Sequence, residues 1–270
     1  MLSMPPTAPS DPTPTPSFAD ALARVHDRIE RARTAAGRDD SDGSDDKVRL
    51  LLATKTQDTD DVRAAVLADR AAGRPGEVLV GENRVQELTA KAPALADLAL
   101  TAHLIGPLQS NKVNHALRAL AQHREACVET VDSLPLAEKI GSRVLTAAAE
   151  LGSEATSTLL DVYVQVNVSG EESKAGVSPE AAVELALAVA EVDGLRLSGL
   201  MTVGARSSDE RLVRAGFARL RELRDEVLGS GAPGTSAATE LSMGMSQDLE
   251  WAVAEGATLV RVGSAVFGAR

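Results

Sequence analysis

Residues 241–268, LSMGMSQDLEWAVAEGATLVRVGSAVFG, read as strand, helix, strand, and a Gly/Ser turn that opens a last short helix. Leu241 to Met243 are apolar enough to end a strand, Ser246 is placed to cap a helix over 247–255, and Gly256 stops that helix. Residues 258–262 form a short β-rich run, and Gly263-Ser264 begins the closing turn. Two adjacent strand ends thus each deliver a small residue and bare backbone N–H groups to one side of a sheet. Such N–H donors, with no Cβ to hold an anion away, are how proteins cradle a phosphate. Either turn alone is an ordinary helix start; the pairing points to an anion site. Arg261 adds a permanent cation inside an apolar strand. Strand alternation puts Leu259, Arg261 and Gly263 on one face, and Val260 and Val262 on the other. A buried arginine requires a partner or a ligand.

Upstream, the same strand-then-helix rhythm starts at residue 48. Strands are expected over 48–54, 77–80, 100–105, 126–131, 159–167 and 195–201, each followed by a helix. The helix after the first spans 58–72, and those after the second and third begin near Glu82 and Gln109. The fourth carries Leu136, Ile140 and Val144 on one stripe, and the fifth is announced by Ser178 as N-cap and Pro179 at its first position. The sixth carries Val213, Phe217, Leu220, Leu223 and Val227 at helical steps. With the strands of 241–268, eight β-then-α units in roughly 220 residues fit a (β/α)8 TIM barrel better than a doubly wound open sheet. A barrel places its chemistry at the C-terminal strand ends, with phosphate commonly held after strands seven and eight, where the paired turns lie. Before the barrel, residues 1–17 hold half of the chain's 12 prolines and read as a disordered tail. A helix over 18–36 follows, with Leu22, Val25 and Ile29 on one face, then an acidic, mobile loop over 37–46. Residues 18–270 are expected to form one domain.

The net charge of −11 argues against a nucleic-acid backbone as partner, and an aromatic content of 2% leaves no stacking platform for bases. The single cysteine, Cys127, cannot close an intrachain disulfide, and reads as a small core residue. No apolar run is long enough to span a membrane, and the N-terminus lacks the pattern of a signal peptide, so a cytoplasmic protein is expected. No His/Cys/Asp cluster has metal-ligand spacing.

Lys55 directly follows the apolar run LLLAT, in phase with Leu51 and Ala53, and so points into the barrel mouth. The natural chemistry of an amine there is an imine with a carbonyl compound. Lys112 and Lys174 sit in polar, loop-like contexts and are weaker candidates. Asn83 ends strand two, and His103 lies near the end of strand three. Asn167 ends strand five, whose inward face also carries Asp161, Tyr163 and Gln165, and Met201 ends strand six. Arg49 is one candidate partner for Asp161, and Glu82 is the one clear acid among the strand ends.

A lysine for an imine, a phosphate cradle and an arginine between them describe a pyridoxal 5′-phosphate (PLP) site. LLATKTQ, GENRVQEL, HLIGPLQSNKV, QVNVSGEESKAGV, LSGLMTVGA and the stretch from Leu241 onward resemble the YggS/PROSC family of PLP-binding proteins, over residues 50–270. The resemblance implies the barrel of the alanine racemase N-terminal domain, here with an extra N-terminal helix. It implies that Lys55 carries the imine, that Ser246, Gly263 and Ser264 hold the phosphate, and that Arg261 faces the pyridine nitrogen with Asn83 near the ring. His103, Asn167 and Met201 complete the candidate cofactor contacts. Three residues depart from the family pattern: Arg84 and Ala102 replace usual aromatics, and Thr54 stands where serine is common. Racemases built on this barrel add a tyrosine base from a C-terminal β domain. This chain ends at Arg270 and its one tyrosine, Tyr163, lies mid-strand, so neither that domain nor that base is expected. The resemblance therefore implies a monomeric carrier or buffer in PLP (vitamin B6) and amino-acid homeostasis, with PLP-dependent apoenzymes as recipients. A weak amino-acid racemase is the alternative. A phosphate-sugar enzyme is disfavoured by the lack of a strand-end carboxylate pair.

Overall fold

Strand alternation closes on itself in the computed structural model, which describes residues 17–38, 47–74, 76–150, 159–171 and 173–268. Eight parallel strands pair in sequence order, and the last pairs with the first. They are β1 (Arg49–Ala53), β2 (Leu79–Glu82), β3 (Thr101–Leu104), β4 (Glu125–Val131), β5 (Leu160–Gln165), β6 (Leu195–Met201), β7 (Glu240–Ser242) and β8 (Leu259–Val262). The helices that follow them are α2 (Thr59–Ala71), α3 (Val85–Leu95), α4 (Val113–Leu120), α5 (Leu134–Glu150), α6 (Ala182–Ala190), α7 (Glu210–Gly229), α8 (Leu249–Ala254) and α9 (Ser264–Phe267), with α1 (Phe18–Ala35) preceding the barrel.

The two strand faces build two cores. Outward residues such as Leu50, Leu52, Val162, Val164, Val260 and Val262 pack under the helices. Inward residues Leu51, Leu79, Ile105, Cys127, Tyr163, Met201 and Leu259 fill the barrel. The register Leu51↔Arg261 sets β8 beside β1, so the strand ends carrying Lys55 and Gly263 are neighbours. Helix α1 starts at Ser17, whose hydroxyl accepts from Asp20 N at 3.2 Å, and buries Leu22, Val25 and Ile29. Each such side chain contributes about 1.5–3 kcal/mol of burial. It packs on α2, α8 and α9. Arg28 there forks onto Glu250 (2.6 and 2.8 Å) and also donates to Ser246 O at 3.0 Å. Among the described residues no helix is long and apolar enough to cross a membrane, and no group of three or more His, Cys, Asp or Glu could hold a metal.

Several boundaries differ from the sequence reading. Strand β2 begins two residues late and runs through Glu82, because that buried carboxylate finds partners inside the fold. Helix α3 consequently starts at Val85. A 3-10 turn over Ser110–Lys112 precedes α4. Ser178-Pro179 opens a turn closed by Ala181 N on Ser178 O at 3.1 Å, and α6 begins only at Ala182. Ser246 does not cap α8. Asp248 occupies that position, and its carboxylate accepts from Met245 N at 2.6 Å, closing a turn just before the helix. Asp161 pairs with Arg196 of the adjacent strand (2.5 and 2.7 Å) rather than with Arg49, which pairs with Glu240 at 2.9 Å. The tail expected over 1–17 lies outside the described residues except for Ser17. Of the loop over 37–46, Gly37 and Arg38 are described, and Arg38 donates to Val253 O and Ala257 O at 2.8 and 2.9 Å.

Candidate functional site

Lys55 leaves the end of β1 into a cleft of about 320 Å³ that it lines with Asn83, Arg84, Gln109 and Lys112. The sequence-predicted pair Lys55 and Asn83 therefore does come together, joined by two further cations. The chain on either side of Lys55 is held from β2 and α3. Thr54 is fully buried; its hydroxyl donates to Glu82 Oε1 at 2.5 Å and its carbonyl accepts from Lys91 Nζ at 2.8 Å. Lys91 also donates to Glu82 Oε1 at 2.8 Å. Burial pushes the Glu82 carboxyl up, against the lowering effect of Lys91 and Thr54. Thr56 N donates to Glu87 Oε2 at 2.8 Å. Thr56 has φ +65°, in the left-handed region, where a β-branched residue costs on the order of 1–3 kcal/mol.

Beneath this mouth lies a polar layer inside the barrel. Arg261 is 5% exposed. Its Nη1 donates to Ser242 Oγ and its Nη2 to Thr202 O, both at 2.6 Å. Ser242 in turn donates to Glu129 Oε2 at 2.5 Å, and the other Glu129 oxygen meets His103 Nδ1 at 2.6 Å. Arg261 and Glu129 also face each other at 3.9 Å. Burial pulls the Arg261 guanidinium below the ordinary arginine value, with Glu129 and Asp248 opposing. Burial pushes the Glu129 carboxyl up. The His103 bond and charge, Arg261 and the Ser242 hydroxyl outweigh it, so the carboxyl is held below the usual range. Sequence reasoning found Arg261 and missed Glu129 and Ser242. The signal was there: Glu129 has the strand parity of inward Cys127, just as Arg261 has that of Leu259.

The ends of β7 and β8 are tied together, Arg261 N donating to Gly244 O at 2.9 Å. Gly244 has φ +90°, and a Cβ there would run into Ala252. This is the bend that carries the chain to Ser246. Gly263 precedes α9 and packs on β1, its Cβ position lying 3.0 Å from Ala53 O. Gly263 and Ser264 thus sit beside the strand that presents Lys55.

The other predicted contacts fall differently. His103 is buried below the mouth, bonded to Glu129 and edge-on to Tyr163 at 6.2 Å. Asn167 spends its amide on the loop after β5, donating to Glu171 O (2.9 Å) and Lys174 O (3.4 Å). Met201 is fully buried in the barrel interior. Tyr163 OH accepts from Arg49 Nη2 at 3.3 Å, near the N-terminal end of the barrel and away from Lys55. Burial pushes the Tyr163 phenol and the Cys127 thiol well up, so both stay neutral. Gln165 Oε1, on the inward face at the end of β5, is buried without a hydrogen-bond partner among the described residues.

The alanine racemase N-terminal domain family matches residues 62–270. A Pseudomonas aeruginosa protein named pyridoxal phosphate homeostasis protein is 42% identical over 255 residues, which is 94% of this chain and 96% of that one. A crystal structure of an unknown protein from Bifidobacterium adolescentis superposes with a TM-score of 0.79 at 42% identity, covering 93% of this chain and 94% of the other. PipY of Synechococcus elongatus, in a structure with PLP bound, gives 0.71 at 30% identity over 93% of this chain and all of its own. Identity at this level over nearly the full length of both partners, on one closed barrel, makes this chain a member of the pyridoxal phosphate homeostasis protein family.

Proposed function

We propose that this chain binds PLP through an imine on Lys55 and serves as a carrier and buffer of the cofactor in vitamin B6 and amino-acid homeostasis. The observation that carries the reading is the juxtaposition of Lys55, at the end of β1, with Gly263 and Ser264 at the end of the neighbouring β8, over the buried cation Arg261. The donor set fits the cofactor: an amine for the aldehyde, small residues with backbone N–H groups for the phosphate, and a guanidinium for the ring nitrogen. Gln165 Oε1, buried at the end of β5 without a partner among the described residues, is a further polar atom in the barrel interior. When bound, PLP supplies an aldehyde that condenses reversibly with an amine. Ser246, Gly263 and Ser264 would hold its phosphate and Asn83 would lie near the ring, with Met201 buried in the barrel interior beneath. His103 and Asn167 act one layer behind, through Glu129 and the 167–174 loop. The two bonds to Ser242 and Thr202 use two of the five N–H donors of the Arg261 guanidinium. Being always protonated, Arg261 only donates, so a ring nitrogen held against it would carry no proton and the cofactor would be a poor electron sink.

The same geometry argues for carriage over racemisation. Tyr163 is buried in the barrel interior with its hydroxyl bonded to Arg49, and it does not line the cleft of Lys55. Relatives that carry PLP homeostasis in their names support the physiological role. We place the protein in the cytoplasm as a monomer that passes PLP to apoenzymes. The test is the visible spectrum of purified protein mixed with PLP, before and after borohydride. Wild type shows an imine band that reduction fixes covalently on Lys55, and Lys55→Ala shows neither. An equal band in Lys55→Ala overturns the reading. Exchange of an amino acid's α-proton by the PLP-loaded protein, lost in Lys55→Ala, would instead make it an enzyme.

A further inference from the structure

Helix α3 carries a device that the PLP reading alone does not require. Thr56 and Ala99 are the two non-glycine residues with positive φ among those described. Thr56 directly follows Lys55, and a threonine resists this backbone region because its branched Cβ crowds the neighbouring carbonyl. Strain of this kind persists only where the surroundings over-determine it. Here the holder is visible. Glu87 Oε2 accepts from Thr56 N at 2.8 Å, reaching across from α3 to a residue 31 positions earlier. Lys91, one turn on along the same helix, holds Thr54 O at 2.8 Å and stands 3.7 Å from Glu87. Gln57 N adds a bond to Thr54 O at 3.0 Å. The residues before and after Lys55 are therefore both fixed from α3, and Lys55 itself lines the cleft.

We propose that Glu87 is a positioning residue for Lys55: by bonding Thr56 N it holds the left-handed turn that aims the Lys55 amine at an incoming aldehyde. The inference rests on Lys55 being the imine lysine. In that condensation the Nζ lone pair attacks the aldehyde carbon, the C=N bond forms, and the carbonyl oxygen leaves as water with two protons from the amine. No oxidant or reductant takes part. A turn that wanders lowers the fraction of time in which Nζ meets the carbon in line, so the penalty falls on the rate of formation. The bond needs an acceptor oxygen at residue 87, not a charge. It also matters only while residue 56 resists its own conformation, because glycine adopts positive φ freely.

The experiment follows growth of the imine band after mixing full-length protein with PLP, alongside thermal melting and mass spectrometry after borohydride. Glu87→Ala is expected to slow formation about tenfold, and Glu87→Gln, which keeps a carbonyl acceptor, to stay within about twofold of wild type. Placing Thr56→Gly under both backgrounds closes a double-mutant cycle, in which Glu87→Ala is expected to cost about threefold or less. Melting temperatures unchanged within a few degrees separate slower chemistry from a damaged fold. Wild-type rates in a folded Glu87→Ala overturn the proposal. A Gln variant as slow as the Ala variant does so too, since charge would then be the active property. A full tenfold loss persisting in the Thr56→Gly background also overturns it. If borohydride fixes the cofactor to another residue, the Lys55 reading fails first, and that outcome is distinguishable by mass.

Discussion

Glu129→Leu is expected to destabilise the barrel by about 3–5 kcal/mol, the penalty for removing one partner of a buried ion pair and leaving the other. Glu129 is fully buried, and Arg261, 5% exposed, has it as the facing carboxylate at 3.9 Å and through the shared hydroxyl of Ser242. Leucine is no smaller than glutamate, so the loss reports the stranded guanidinium and the unpaired His103 Nδ1 rather than a cavity. For a chain of this size the melting temperature should fall by about 6–20 °C, at about 2–4 °C per kcal/mol. Glu129→Gln keeps acceptor and volume, loses the charge, and should fall between. Acid sensitivity has a defined sign. The folded Glu129 carboxyl is held below its ordinary value, so its stabilisation is complete above the unfolded carboxylate value of about 4.3 and disappears as pH falls through the folded value. Melting measured from pH 7 down should therefore show an acid limb below about pH 4 that is steeper in wild type than in Glu129→Gln. Equal limbs would mean that the pairing with His103 and Arg261 does not hold the carboxyl down.

How much of this interior the sequence disclosed depended on whether a signal was local. Strand β6 and helix α7 agree with the reading of their periodicity, since Leu195–Met201 and the stripe from Val213 to Val227 run without interruption. Element ends were less legible because partners distant in sequence decided them. Ser246 has the right chemistry for an N-cap, yet its carbonyl is drawn to Arg28 of α1 and Asp248 closes the turn instead. Asp161 could be given an inward-facing arginine, but only the register of β5 on β6 shows that Arg196 is its direct neighbour. Among the candidate site residues, Lys55, Arg261, Gly263 and Ser264 stand out in the sequence because each is anomalous in its own context: a charge in or ending an apolar strand, or small residues where strands give way to helices. Asn83 stands out as a polar residue at a strand exit. Glu129 is equally anomalous, but its partners lie on β3, β7 and β8, and the short run EACVETV drew attention to its cysteine. Glu87 had no local signal. As an acid in the first turn of α3 it looks like an ordinary partner of the helix dipole, and its bond to Thr56 exists only because β1 and β2 are adjacent.

Gly106→Ala is expected to cost about 3 kcal/mol or more, at or above the upper end of the overpacking range, because the added Cβ meets backbone instead of a side chain that could turn away. Its position lies 2.6 Å from Asn83 C and 2.8 Å from Asn83 Cα, and closer still to the Asn83 carbonyl oxygen. Real Cβ contacts of that kind do not occur, so either the β3 exit or the β2 exit must move. Gly106 O also accepts from the buried hydroxyl of Thr130 at 3.0 Å, which resists movement on the β3 side. The displacement therefore goes mainly into Asn83, and through it into the cleft that Asn83 shares with Lys55 and Pro107. Two readouts should move together: melting temperature, by about 6–12 °C for a loss of this size, and PLP affinity, through the shifted Asn83. A variant that melts lower but binds PLP as wild type does would remove Asn83 from the cofactor contacts while leaving Lys55 in place. A variant unchanged in both would mean that the two strand exits are not in contact. The tight approach would link stability and binding because one pair of backbone segments forms both a wall of the fold and a wall of the cleft that Lys55 lines.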